Sequence, residues 1–491
     1  MRHHKLLCII SAMLIACTGT VGCGNEKEEN KKKKPLDKED PVTITVWHYY
    51  NGVQQTSFDE IVKEFNDTVG FEEGIIVEAY SKSSIDELSQ SVVAAVNGDA
   101  GADTPPNIFA TYSETAYTLD LDGKLADLKQ YLTNDEIGEY IDEYIDEGMF
   151  DGETLKIFPT AKSTEIMMIN KTDWDKFSQS EGVSLDDIST IEGLVEVSEK
   201  YYNYTDALTP DIPNDGKAFY GRDSAANYMY IGARQLGCQY VDINEDGKAS
   251  LNVDKGVVRK LWDNYYVPYV KGYFTAQSRF RSDDAKTGSL IALVCSTTGA
   301  AYFPDEVTLN DDYTYPIENI ITKVPVFEGT EPYLVQQGAG MSVIKSDEKT
   351  EYACLEFLKW FTEEERNIEF SVGSGYLPVK KAANDFEAIK NTNENLEQPM
   401  DDTMLNAINI AIEEINERAL YTSAPFSKSA EMRDYIGDTI QSTASADHET
   451  VMQRISGGED RDAVLEDFIS DEAFDKWYDS FVSSLEGIIN S

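Results

Sequence analysis

From residue 42 onward, short β-type runs alternate with amphipathic helical runs, and this order restricts the fold more than any other feature of the chain. Residues 42–47, Val-Thr-Ile-Thr-Val-Trp, alternate β-branched side chains and read as a strand. A turn over residues 49–52 follows, and Phe58, Ile61, Val62 and Phe65 then recur at helical spacing. Residues 74–80 read as a second strand, 84–96 as a second amphipathic helix, 105–111 as a third strand, and 116–121 as the start of a third helix. Strand–helix–strand units imply a parallel sheet with helices on its faces. Ligands of such sheets bind beyond the carboxyl ends of the strands, where this chain offers Trp47, His48, Tyr80, Tyr112, Ser113 and Glu114. The middle is richer in helix and aromatics. The α/β pattern returns later, with strands expected over 315–326 and 338–344 and a helix over 352–361. No repeat of solenoid length is present.

The chain begins with a short basic segment, Met1-Arg-His-His-Lys5, followed by an apolar run over 6–16. That run is too short for the ~20 residues of a spanning helix and suits the hydrophobic region of a signal peptide. Cys17 follows Leu14-Ile15-Ala16, and Cys23 follows Thr20-Val21-Gly22. Both segments resemble the lipobox of bacterial lipoproteins, in which the cysteine is acylated. Leu14 favours Cys17; Gly24-Asn25 after the second cysteine favours Cys23. Residues 26–35, charged and without periodicity, read as a disordered tether. A lipid anchor and a tether leave the folded part free above a membrane surface.

A net charge of −47 repels nucleic acid and leaves no basic surface for phosphate backbones. Beyond the leader, Cys238, Cys295 and Cys354 are widely spaced and odd in number, so they read as single buried residues rather than a disulfide scaffold. Only His48 and His448 lie beyond the leader, which argues against a His-based zinc site. Asp242–Gly247 opens like a calcium loop, but Val253 stands where that loop needs a bidentate Glu, so the segment reads as a β-hairpin. A nucleophile elbow, an HExxH pair and a phosphate-binding loop are all missing from the sequence.

Several landmarks occur in a specific order: Val42–His48; Thr104-Pro-Pro-Asn-Ile108 followed by Gly123-Lys-Leu-Ala-Asp-Leu128; residues 150–159 followed by Ser163-Thr164 and Asn170-Lys171; Gly338-Ala-Gly-Met-Ser-Val-Ile344; and Gly375-Tyr-Leu-Pro-Val379. From about residue 42 to about 440 the chain thereby resembles the extracellular solute-binding proteins of carbohydrate-type ABC importers. The resemblance implies an α/β, two-lobed periplasmic-binding-protein-like fold, with a hinge and an interlobe cleft that closes on ligand. The expected division is a signal peptide over 1–22, a tether over 23–41, an N-terminal lobe of 42–164 and 313–346, and a C-terminal lobe of 165–312 and 347–491.

Trp47-His48 and the late Gly-Tyr-Leu-Pro-Val segment are most similar to glycerol-3-phosphate binders. Carried over by that resemblance, the ligand contacts fall on Tyr376, Ser163, Glu114 or Ser113, Ser296, Gly338 and Arg433. Sugars present flat C–H faces and many hydroxyls. Trp47, Tyr80, Tyr112, Tyr228, Tyr230 and Tyr376 are candidate walls, while Arg222, Arg281 and Arg433 are candidate phosphate partners. The resulting expectation is a monomeric bacterial lipoprotein on the extracellular face of a Gram-positive plasma membrane. It captures a sugar, oligosaccharide or sugar-phosphate-like polyol, delivers it to ABC permease subunits, and uses no cofactor or metal. The alternative is a lipid-anchored surface glycoside hydrolase or adhesin.

Overall fold

The first strand forms as Val42–His48. Its even positions Ile44, Val46 and His48, and Tyr50 just beyond, are all buried, as the two-residue period of an extended chain requires. In this computed structural model, which describes residues 35–244, 247–396 and 399–491, that strand is central to a four-stranded sheet. The order is Gly340–Val343, Ile108–Thr111, Val42–His48, Ile75–Ser81. The last three strands are parallel and Gly340–Val343 runs against them. The helix Gly52–Asp67 buries Phe58, Ile61, Val62 and Phe65. The helix Ile85–Asn97 buries Leu88, Val92 and Ala95. Ser84 caps the latter by accepting from the Glu87 N–H at 3.2 Å, and Gly98, with φ +71°, ends it.

A second four-stranded sheet has the order Asn319–Thr322, Glu165–Asn170, Ala292–Ser296, Tyr220–Arg222. Every residue of Glu165–Asn170 is buried. Met167 and Ile169 enter one core with Ala292 and Val294, while Ile166 and Met168 enter another with Leu293 and Cys295. A sheet covered on both faces needs apolar residues at successive positions, and Ile-Met-Met-Ile supplies them.

Leu36–Ser491 forms one compact unit, within which two segments pack opposite to the expected division. Asn319–Thr322, expected in the N-terminal lobe, pairs antiparallel with Glu165–Asn170 in the second sheet. The helix Glu348–Phe361, expected in the C-terminal lobe, buries Ala353, Leu355, Phe357 and Phe361 in the core of the first sheet. The expected tether also ends early. Leu36 packs against the first core, Lys38 pairs with Glu72 at 3.2 Å, and Asp40 pairs with Lys349 at 2.7 Å.

Short extended segments tie the two sheets together. Ser163 and Gln337 exchange both backbone hydrogen bonds at 2.9 Å, and Lys162 exchanges both with Leu377. The Thr164 hydroxyl donates to the Val335 carbonyl at 2.8 Å. Tyr333–Val335 pairs in parallel with Ala419–Tyr421. The expected hairpin is present, with Val241–Ile243 antiparallel to Ala249–Leu251. Cys238, Cys295 and Cys354 are buried free thiols. The signal peptide, Cys17 and Cys23 lie outside the described residues. No helix among the described residues is long and apolar enough to cross a membrane.

Candidate functional site

The carboxyl end of the first sheet supplies one wall. Tyr49 follows the strand, and its hydroxyl lies 3.0 Å from that of Tyr376. The Tyr376 ring stacks on Phe370, with 6.2 Å between centres. Gly375, at φ +74°, ends the helix Glu364–Ser374 and turns the chain into Tyr376. A Cβ at Gly375 would sit 2.7 Å from the Met404 methyl and 3.3 Å from the Thr298 Cα, so Tyr376, in the core of the first sheet, adjoins the core that holds Ile166 and Met168.

Tyr112 precedes the helix Ser113–Leu121. It is 38% exposed. Burial raises the Tyr112 hydroxyl pKa, with Tyr49 the next cause. Burial likewise raises the Glu114 carboxyl pKa; the Glu147 charge adds to this and Arg433 opposes it.

Arg433 approaches from the helix Ser429–Ser456, and its guanidinium donates to the Asn227 side-chain oxygen. The Asn227 amide in turn donates to Glu165 at 2.9 Å, and Glu165 is paired with Arg222. This chain of contacts fixes the second wall from Arg222 to Arg433. It also separates the three arginine candidates. Arg222 is neutralised by Glu165, and Arg281 by Asp284 at 2.7 Å, both deep in the protein. Arg433, by contrast, is held by the Asn227 side-chain oxygen and makes no carboxylate ion pair among the described residues.

The connecting segments form the floor. Ser163 Oγ lies 2.8 Å from Thr297 Oγ1. Ser296 caps the short helix Thr297–Tyr302 by accepting from the Gly299 N–H at 3.1 Å. Lys162 pairs with Glu147 and donates to the Gly338 carbonyl at 3.0 Å. Gln336 donates to Glu147 at 2.6 Å. Gly338 has φ +91°, and a Cβ there would lie 2.8 Å from the Ala161 carbonyl oxygen, so close backbone approach requires glycine.

Ser163, Ser296 and Gly338 thus lie at the crossings between the sheets, Tyr376 and the segment Tyr112–Glu114 at the carboxyl end of the first sheet, and Arg433 on the second wall. Ser113 is buried, with its hydroxyl 3.5 Å from Glu114. Four sequence candidates stand elsewhere. His48 is 0% exposed and packs between Tyr50 and Phe58, because strand alternation points it into the core with Ile44 and Val46. Tyr228 is buried, with its hydroxyl spent on the Leu261 carbonyl at 2.9 Å. Tyr80 is 49% exposed and bonds Glu78 at 3.0 Å on the surface. Trp47 is at the strand end but buried, with the Lys82 ammonium 3.8 Å above its ring centre. Tyr49, Glu147, Lys162, Asn227 and Gln336 escaped the sequence reading. Tyr49 was accessible to it, as the residue opposite in phase to inward-facing His48.

Two sheets joined by short crossings, with polar and aromatic groups converging between them, define a two-lobed ligand-capturing protein. The chain belongs to the bacterial extracellular solute-binding protein family, whose model matches residues 60–397. The fold is similar to that of a cyclic α-maltosyl-1,6-maltose binding protein from Arthrobacter globiformis, at 17% identity and TM-score 0.63, covering 90% of this chain and 100% of that one. A protein from Mycobacterium tuberculosis solved with glycerophosphocholine is similar at 18% identity and TM-score 0.62, covering 87% and 99%. An ABC substrate-binding protein from Listeria monocytogenes, in complex with cycloalternan, is similar at 16% identity and TM-score 0.60, covering 90% and 99%. A comparison with curated protein sequences finds no match.

Proposed function

We propose that this chain captures a sugar, oligosaccharide or sugar-phosphate-like polyol between its lobes and delivers it to the permease of an ABC importer. The observation that carries the reading is the meeting of aromatic and polar groups where the two sheets join: the Tyr49 and Tyr376 hydroxyls lie 3.0 Å apart, and Arg433 is held by the Asn227 side-chain oxygen with no carboxylate ion pair among the described residues. Aromatic faces suit sugar C–H surfaces, and a few convergent polar groups orient hydroxyls. The similar structures are binding proteins of sugars and glycerophosphocholine by their descriptions, which supports the same ligand class here. The crossings at Lys162–Ser163, Gln336–Gly338 and Leu377 act as the hinge, and ligand closes the lobes about them. Energy for transport comes from a separate ATPase, and the chain itself performs no chemistry on the ligand. Export through a signal peptide over 1–22 and acylation at Cys23, or alternatively Cys17, tether the monomer to the outer face of the membrane.

The test is a melting-temperature screen of the full-length chain against sugars, oligosaccharides and polyol phosphates. A ligand that binds only the folded state stabilises it by mass action, by ~2.7 kcal/mol at a hundredfold excess over Kd. Stabilisation by one such class, lost in Tyr112→Ala and Tyr376→Ala, supports the reading. Release of free sugar from a glycoside would instead make the protein a hydrolase.

A further inference from the structure

Two helices meet at the second wall, and the closeness of their contact places one cation. Gly437 lies one turn after Arg433 on the helix Ser429–Ser456, and a Cβ there would sit 2.9 Å from the Ala226 Cβ. Glycine thus lets this face of the helix press against the helix Ala225–Gln235. Residues four apart share a helix face, so the same contact carries Arg433 to Asn227, the neighbour of Ala226. Ser224 caps the second helix and accepts from the Asn227 N–H at 3.1 Å, which fixes the backbone that presents the amide.

Asn227 is fully buried and has charged partners on both sides. Its NH2 donates to Glu165 at 2.9 Å, and its oxygen accepts from Arg433. The reverse orientation would set NH2 against a guanidinium and oxygen against a carboxylate, so the partners allow only one. The Glu165 charge is spent on Arg222. What reaches Arg433 is therefore a neutral oxygen. Carboxylates are not scarce, with 89 Asp and Glu against 42 Lys and Arg in the chain. The Arg433 charge is even felt by the carboxyls of Glu114 and Asp434, yet neither pairs with it among the described residues. A carboxylate at position 227 would hold Arg433 and cancel it; the amide holds it and leaves it charged. A guanidinium carries several N–H donors, and Arg433 is only half-buried, so donors remain to meet a solute.

We propose that Asn227 is a positioning residue, which fixes the Arg433 guanidinium while keeping it charged, so that the site selects a solute with an anionic group over its uncharged counterpart. The proposal rests on capture of a solute where the two sheets join, beside Arg433.

The experiment is calorimetric titration of the full-length chain with pairs that differ in charge: glycerol and glycerol 3-phosphate, glucose and glucose 6-phosphate, sorbitol and gluconate. Maltose is added as an uncharged oligosaccharide. The titrations are repeated on Asn227→Asp, which keeps the shape and sets a carboxylate against Arg433, and on Asn227→Ala, which removes the oxygen that aims it. The expected result is an anionic member that binds about tenfold or more tighter than its uncharged partner, with that ratio falling towards one in both variants. The phosphate and carboxylate pairs tell which anion the site takes. A purely structural role for Asn227 would weaken both members of a pair alike. Partial unfolding of a variant does the same, since it scales both apparent affinities by one factor, so the ratio stays readable even where a variant melts early. A ratio that survives either variant overturns the proposal. Equal affinity within every pair, or binding of maltose alone, also overturns it and leaves the capture of a sugar or polyol intact. Failure of every solute to bind overturns the proposal and the capture reading together.

Discussion

At the scale of single residues, His48 shows how a side chain named for ligand chemistry becomes a core residue. Burial lowers its imidazole pKa from 6.5 to about 4. The folded protein therefore keeps it neutral while the unfolded chain protonates it below pH 6.5. Stability from this group is full above pH 6.5, declines as pH falls towards 4, and changes no further below that. A difference of this size corresponds to about 3 kcal/mol. Denaturant unfolding at pH 7 and pH 4.5 is expected to show a smaller loss of stability in His48→Phe than in the parent, the comparison cancelling groups common to both. In the cleft, Tyr376→Phe removes the hydroxyl that meets Tyr49 at 3.0 Å while keeping the ring stacked on Phe370. It is expected to weaken ligand binding by roughly a factor of ten, about 1.4 kcal/mol, with little change in melting temperature. Arg433→Ala is expected to cost affinity mainly for phosphorylated ligands, read by titration of a polyol and its phosphate side by side.

At the scale of elements, the sequence read well where one local rule governs. The strand of Val42–His48 and the helices Gly52–Asp67 and Ile85–Asn97 follow from period two and period 3.6, the second helix with caps at both ends. The motifs around Gly338 and Gly375 were legible as fixed turns, because the backbone takes positive φ at both glycines. What the sequence hid is partnership between distant elements. Nothing local to residues 319–322 says that they pair with 165–170, and nothing near Glu147 announces that Lys162 and Gln336 will meet it. His48 was misread because its place at the carboxyl end of the strand was weighed above strand phase. Gly338 gives the prediction for this scale. At φ +91°, with the Ala161 oxygen 2.8 Å from any Cβ, Gly338→Ala is expected to cost about 1–3 kcal/mol and to displace the crossing it belongs to. Denaturation and ligand titration of the same variant check both effects.

For the molecule as a whole, a charge of −47 means self-repulsion that salt relieves. Raising ionic strength from about 0.02 M to about 0.2 M shortens the screening length about threefold and is expected to raise the melting temperature; an unchanged value would mean that local ion pairs already balance the field. The interleaving of the cores has a consequence for synthesis and export. Early contributors to the first core end at Ala161 and the next is Ala339, so that core cannot be completed until the whole intervening second-sheet region has been made. A chain threaded amino-end first through a secretion channel reaches the far side with its leading third lacking a partner. It must wait there, exposed to proteases and to its neighbours, until more than two thirds of the polypeptide in all has crossed. Slow maturation, rather than weak final stability, is the hazard this architecture carries.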